Sequence, residues 1–172
     1  TVPHDWAING PFDKKWDIQF VAIEQNGETE KTEKTGRSGA LPWIGEGHYQ
    51  LTVTLPNGFK PAELHFDGAM SGPTVTVNGH QAGHWAYGYN AFNVDFTQFA
   101  KEGENKIEID LQNVEESSRW YPGAGLYRPV TLVLTGETRF QTWATFVQTK
   151  EANNDNATII IDSKLDGFDS KQ

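Results

Sequence analysis

Five histidines and 23 Asp and Glu residues are the groups in this 172-residue chain that could support acid–base or metal chemistry. His80 and His84 are four apart, a spacing that on a helix would bring two imidazoles to one zinc ion. Their surroundings, TVTVNGHQAG, alternate like a strand instead. Within them Asn78-Gly79 suits the two φ > 0 positions of a type I′ hairpin turn. Four strand residues span about 13 Å at ~3.3 Å each, too far for one ion with bonds of about 2 Å. No metal site is therefore expected, and these histidines read as hydrogen-bonding or rim residues. Glycoside hydrolysis needs two carboxyl groups, about 5 Å or about 6.5–9.5 Å apart by mechanism. No local pattern picks out such a pair. The chain has no cysteine, which excludes disulfides, thiolate nucleophiles and Cys-ligated zinc. No serine sits in a nucleophile elbow and no phosphate-cradling loop is present, so no cofactor is expected.

The remaining chemistry lies in aromatic and arginine side chains. SSRWYPGAGLYRP, Ser117 to Pro129, places one Trp, two Tyr and two Arg among two Gly and two Pro. LPWIGEGHY (Leu41 to Tyr49) and GHWAYGYNAF (Gly83 to Phe92) are also rich in rings. Such residues either close the ends of a sandwich with their polar tips bonded to backbone, or form a ligand-facing rim. A sugar would suit the second role, because rings stack on its C–H face while Arg, Asp and Asn bond its hydroxyls. Both readings stay open at this level.

The elements that must position these residues are strands. HYQLTVTL puts Tyr49, Leu51, Val53 and Leu55 on one face; AELHF, FNVDF and NKIEIDLQ alternate in the same way, and VTLVLT follows. No window keeps a helical period for three turns, and TQFAKEGE offers one short turn at most. The pattern is that of an all-β sandwich. EQNGETEKTEKTGRSG, Glu24 to Gly39, has no apolar residue and reads as a solvated loop. A second polar stretch, KEANNDNA, separates FQTWATFVQT from ATIIIDSKL. These two segments read as a hairpin, marginal alone, and hence as the start of a second, truncated β domain from about Glu137. The formal net charge of −9 disfavours nucleic-acid and anionic-membrane partners. No run approaches the roughly 20 apolar residues of a membrane span. The chain opens TVPHDWAING, without an initiator Met or a signal-peptide pattern, and reads as cut from something longer.

TVPHDWAINGPF, GRSGALPWIGEGHYQLT, HFDGAMSGPTVTVNGHQAGHWAYGYNAFNVDFTQF, EGENKIEIDLQN and SSRWYPGAGLYRPVTL occur in that order. Together they resemble the N-terminal part of bacterial β-galactosidases of glycoside hydrolase family 2, a layout shared by β-glucuronidases and β-mannosidases. The resemblance implies a jelly-roll, galactose-binding-like sugar-binding domain over residues 1–136. Residues 137–172 would be the first strands of a truncated immunoglobulin-like domain. It further implies a TIM barrel, missing here, that carries both catalytic carboxylates. The family's acid/base Glu follows an Asn, and this sequence has no Asn-Glu dipeptide. No catalytic residue is therefore expected in this chain. By position, Arg119 and Trp120 become candidates for sugar contact, with Trp43 and Glu46 on a second approach. Tyr121, Pro122, Gly123 and Gly125 would shape the loop, and Arg128 would pair beneath it. Some family members have an acidic residue where Arg119 stands.

Three roles follow for the chain: an accessory wall of a retaining β-galactosidase, an autonomous carbohydrate-binding module using Trp85 or Trp120, or a scaffold for homo-oligomers. The implied partners are a galactoside or related glycan and the missing barrel. The resemblance to gut bacterial enzymes points to a periplasmic or secreted parent.

Overall fold

The structure, a computed structural model, describes residues 1–13, 20–25, 28–33, 43–114 and 123–167. Alternation of apolar side chains builds two antiparallel sheets. The first has the order β3 (Gly45–Leu55), β8 (Gly103–Asn113), β5 (Thr74–Val77), β6 (His80–His84). The second has the order β7 (Phe92–Asp95), β4 (Ala62–Phe66), β9 (Val130–Leu134). From β3 to β9 the chain leaves one sheet for the other at every connection except the β5–β6 hairpin, as in a jelly roll. One core joins the inward faces: Val75, Val77, Ile107, Ile109 and Leu111 from the first sheet, Leu64, Phe66, Phe92 and Val94 from the second. Phe66 and Phe92 are opposite residues in the β4–β7 ladder and stack with ring centroids 4.5 Å apart. The all-β sandwich expected from the sequence is therefore the observed fold.

The end of the sandwich away from the aromatic loops is closed by buried asparagine. Asn78 has φ +52 and Gly79 φ +83, the backbone that a two-residue turn between β5 and β6 requires. The Asn78 side chain donates to Asn105 Oδ1 at 2.8 Å and to the Phe99 carbonyl at 2.8 Å. Asn105 is fully buried. It accepts from the Lys101 amide at 2.9 Å and donates to the carbonyls of Lys101 and Gly103. Thr97–Phe99 forms a 3₁₀ turn, where TQFAKEGE offered one short turn.

Three features depart from the sequence reading. A four-residue helix, α1 (Trp6–Asn9), starts at Asp5, whose Oδ1 accepts from the Ala7 and Ile8 amides at 3.0 and 3.4 Å. The supposed loop from Glu24 to Gly39 contains strand: β1 (Phe20–Gln25) pairs antiparallel with β2 (Glu28–Glu33), Gln25 opposite Glu28. Backbone pairing satisfies amides and carbonyls whatever the side chains, so a wholly polar strand leaves no hydrophobic trace. Leu51, assigned to the buried face of β3, is 59% exposed. β3 and β9 are sheet edges, and Leu51 lines an open apolar cleft of about 370 Å³ between them, with Thr1, Val2, Val53 and Leu132.

The tail forms the expected hairpin, β10 (Arg139–Ala152) with β11 (Ala157–Asp166). Asn153 Oδ1 closes its turn by accepting from the Asp155 and Asn156 amides, both at 2.9 Å. A register shift between Phe140 and Thr145 accompanies φ +55 at Trp143, a bulge that places Trp143 6.0 Å from the His65 ring. Beside it lies Glu63, on the outward face of β4 yet only 5% exposed. Glu63 Oε2 accepts from Thr142 Oγ1 at 3.1 Å and lies 2.7 Å from His65 Nε2, while Oε1 is 3.5 Å from Arg139. Arg139 also bonds Asp166 at 3.0 Å.

Two outcomes are expected. Asn105→Ala strips four hydrogen bonds from a buried turn and should lower unfolding free energy by about 2–4 kcal/mol in urea titrations. Gln141, bonded to Asp166 at 2.6 Å, and then Arg139 hold the Asp166 carboxyl below the usual carboxylate range. A depressed folded value stabilises above the unfolded value and is lost as pH falls through the folded one. The Asp166 carboxyl carbon should thus titrate below the ordinary aspartate value by NMR, and Gln141→Ala should move its midpoint upward.

Candidate functional site

Strand direction gathers the aromatic loops at one end. Register places the start of β3 against the end of β8 (Gly45 opposite Asn113), and the start of β5 against the end of β6 (Thr74 opposite His84). It also places the end of β4 beside the starts of β7 and β9 (Phe66 opposite Phe92 and Val130). The two sheets agree on which end this is, because Ser71 exchanges backbone bonds with Gln112, and Met70 with Gly125. Residues 67–73, 85–91 and 123–129 therefore share one end with Trp43. Helix α1 joins them: the His4 and Trp6 amides donate to the carbonyls of Leu126 and Ala124 at 2.8 and 3.2 Å. Val114 and Gly123, the flanks of the segment carrying Arg119 and Trp120, both stand at this end.

Arg119, Trp120, Tyr121 and Pro122 lie outside the described residues. Gly123 and Gly125 are buried with φ +92 and +100. A Cβ on Gly125 would run into the Tyr49 hydroxyl, the Trp6 ring and the His4 carbonyl. Around Gly123 the nearest atoms, on Tyr127, leave ordinary contact distance. Arg128 is exposed and its Nη1 donates to the carbonyls of Asp67 at 3.2 Å and Tyr89 at 3.1 Å. It thereby ties three loops together, with its guanidinium 5.2 Å from the Tyr127 ring centroid. Trp43 packs against the core, and its carbonyl accepts from Asn113 Nδ2 at 3.0 Å. Glu46 is exposed, 3.4 Å from Gln112 Nε2, and lines a polar cleft of about 300 Å³ with His48, Thr74 and Asp110. The two thus serve different surroundings, one the core and the other an outer groove.

Two tyrosines that the sequence reading did not single out as site residues anchor the end. The Tyr49 hydroxyl is 2.9 Å from His4 Nδ1, donates to the His4 carbonyl and accepts from the Leu126 amide. Burial raises its titration above the ordinary phenol value, against the lowering effect of the Leu126 amide. The Tyr127 hydroxyl donates to the Gly88 carbonyl at 2.8 Å. Burial pushes its phenol up, Arg128 pulls it down, and Tyr89 and Tyr87 add smaller upward contributions. Both appear in the sequence as apolar-face or loop aromatics, and a polar tip needing a partner was the available clue. Trp85, offered as a sugar-binding residue, is partly buried and packs one side against the core. It stacks on Phe92 at 5.3 Å and donates from Nε1 to Asn90 Oδ1 at 2.9 Å.

His80 and His84 lie at the two ends of β6, His80 stacked on Phe99 at 5.2 Å and His84 3.3 Å from Thr74 Oγ1. Among the described residues no group of three or more His, Cys, Asp or Glu is arranged to hold a metal ion. No helix among them is long and apolar enough to cross a membrane.

A two-sheet sandwich with aromatic loops collected at one end defines the class, a jelly-roll β-sandwich module. The chain is homologous to part of glycoside hydrolase family 2 proteins. It is 33% identical over 168 residues to the β-galactosidase BoGH2A of Bacteroides ovatus, covering 95% of this chain and 18% of that protein. A Formosa agariphila protein named as a candidate β-glucuronidase is 30% identical over 170 residues, covering 97% of this chain and 15% of its own length. Among solved structures, a glycosyl hydrolase family 2 member from Bacteroides cellulosilyticus superposes with TM-score 0.77 at 29% identity, over 97% of this chain and 20% of that one. The chain thus spans less than a fifth of the curated relatives it matches. No protein-family model matches it.

Gly125→Ala should destabilise by about 3 kcal/mol, combining left-handed backbone strain with three fixed neighbours. Gly123→Ala carries the strain without the clash and should cost about 1 kcal/mol. Denaturant midpoints of the two variants measure the difference.

Proposed function

We propose that this chain is a non-catalytic N-terminal domain of a retaining exo-β-galactosidase and helps to wall its sugar pocket. One observation carries the reading: the loops of one sandwich end, including both flanks of the Arg119–Trp120 segment, converge on a common rim. The relatives' names, β-galactosidase and candidate β-glucuronidase, supply the reaction class. Cleavage would then proceed by double displacement through a glycosyl-enzyme, on two carboxyl groups of a barrel in the full-length protein. Arg119 and Trp120 would contact the sugar, and Gly123, Gly125 and Arg128 would fix the loop that holds them. Trp43 would support the rim through its packing, with Glu46 a more distant contributor.

The domain boundary proposed is at residues 136 and 137, with 137–172 opening an immunoglobulin-like domain. Phe140 at 65%, Trp143 at 64% and Ile161 at 65% exposed give the hairpin an apolar surface suited to further strands.

The purified 172 residues should show no turnover of an aryl β-galactoside; hydrolysis by them would reject the reading. In the full-length enzyme, Arg119→Ala and Trp120→Ala should each lower kcat/KM by about tenfold or more while melting temperature holds. Unchanged kinetics in both variants would equally reject it.

A further inference from the structure

Tyr87 and Tyr89 are 60% and 37% exposed and flank Gly88, which is buried. Their rings are 5.6 Å apart, centroid to centroid, and tilted by 57°. Large rings on a loop tip are usually loosely held, but this loop is pinned at successive residues. The Trp85 amide donates to the Pro73 carbonyl at 3.1 Å, and the Trp85 ring lies flat on Phe92 in the core. The Gly88 carbonyl takes the Tyr127 hydroxyl at 2.8 Å and the Tyr89 carbonyl takes Arg128 at 3.1 Å. Asn90 receives the Trp85 indole N–H. Gly88 sits so close to the Met70 thioether that any Cβ would collide with it. The backbone under both tyrosines is therefore fixed from below while their rings face outward.

That combination suits a ligand with one apolar face and a polar perimeter. A pyranose presents C–H bonds on one face and hydroxyls around its edge. A tyrosine offers a ring face for the first and a hydroxyl for the second, with few side-chain torsions to freeze. Because the loop is already ordered, binding does not have to supply its ordering entropy. Exposed Arg128 and Asp67 stand beside the platform and can bond hydroxyls.

We propose that Tyr87 and Tyr89 form a pre-ordered stacking platform for a pyranose residue of a β-glycoside. It involves other residues than the contacts assigned to Arg119 and Trp120, and it rests on the proposed reading that this end of the sandwich faces the glycan.

The test is an NMR titration of the 172-residue chain, with labelled aromatic rings, against lactose and, separately, glycerol at equal concentration. Saturable shifts of the Tyr87 and Tyr89 rings with lactose alone, retained in Tyr87→Phe and lost in Tyr87→Ala and Tyr89→Ala, support the platform. Unchanged ring signals from Phe99, beside Asn78 at the far end, verify that the variants are folded. The proposal falls if lactose moves neither ring, if glycerol moves them equally, or if the alanine variants bind as before. It also falls if the alanine variants alter only self-association in sedimentation. None of these results bears on the kinetics of Arg119→Ala in the full-length enzyme, so the wall reading and the platform can fail separately.

Discussion

The stack of Phe66 on Phe92 is the contact on which the loop-bearing end depends. The two rings are cross-strand partners on the inward face of the second sheet, 4.5 Å apart and nearly parallel. Each is at most 2% exposed. Area removed from water makes such a pair among the largest single contributions a small core can contain. Its position matters as much as its size, because both residues sit where their strands meet the aromatic loops. Trp85 extends the stack one ring further, to the base of the loop carrying Tyr87 and Tyr89. Core packing thus continues without a break to the base of that loop.

The polar atoms of this end follow the same logic. Tyr49, Tyr127 and Arg128 each direct a side chain to backbone carbonyls of segments distant in sequence. Irregular backbone has no ladder to satisfy its groups, so side chains take that role. The arginines and tyrosines of SSRWYPGAGLYRP therefore include both structural and candidate contact residues. Tyr127 and Arg128 are anchors, while Arg119, Trp120 and Tyr121 lie outside the described residues.

Much of the body was legible because a buried face imposes a period of two. Val75 and Val77, Ile107 and Ile109, and Phe92, Val94 and Phe96 all point inward as their spacing requires. The Asn78-Gly79 turn was legible because few residue pairs accept its backbone angles. Strand β2 was not legible, since a polar strand has no apolar period, although Asn26-Gly27 repeats the same turn signal in the sequence. Helix α1 is too short for any period and rests on the Asp5 cap. The outward, polar side of β4 assigns Glu63 to solvent, and only the docking of a later segment buries it. The candidate site was drawn from residue types alone; the gathering of its loops at one end depended on strand direction, and the Tyr87–Tyr89 pair on a glycine whose contacts lie eighteen residues away in sequence, at Met70.

Glu63 has a consequence for how the sandwich and the hairpin behave together. Its carboxyl group is shielded by β10 and draws partners from both sides of the junction: His65 and Asn93 from the sheet, Thr142 and Arg139 from the hairpin. Swinging the hairpin away would strip half of those partners at once, and a buried acid deprived of its cation is costly. One buried carboxylate thus serves as a shared fastening point, and whatever displaces the hairpin must break bonds on which the sheet's own Glu63 relies.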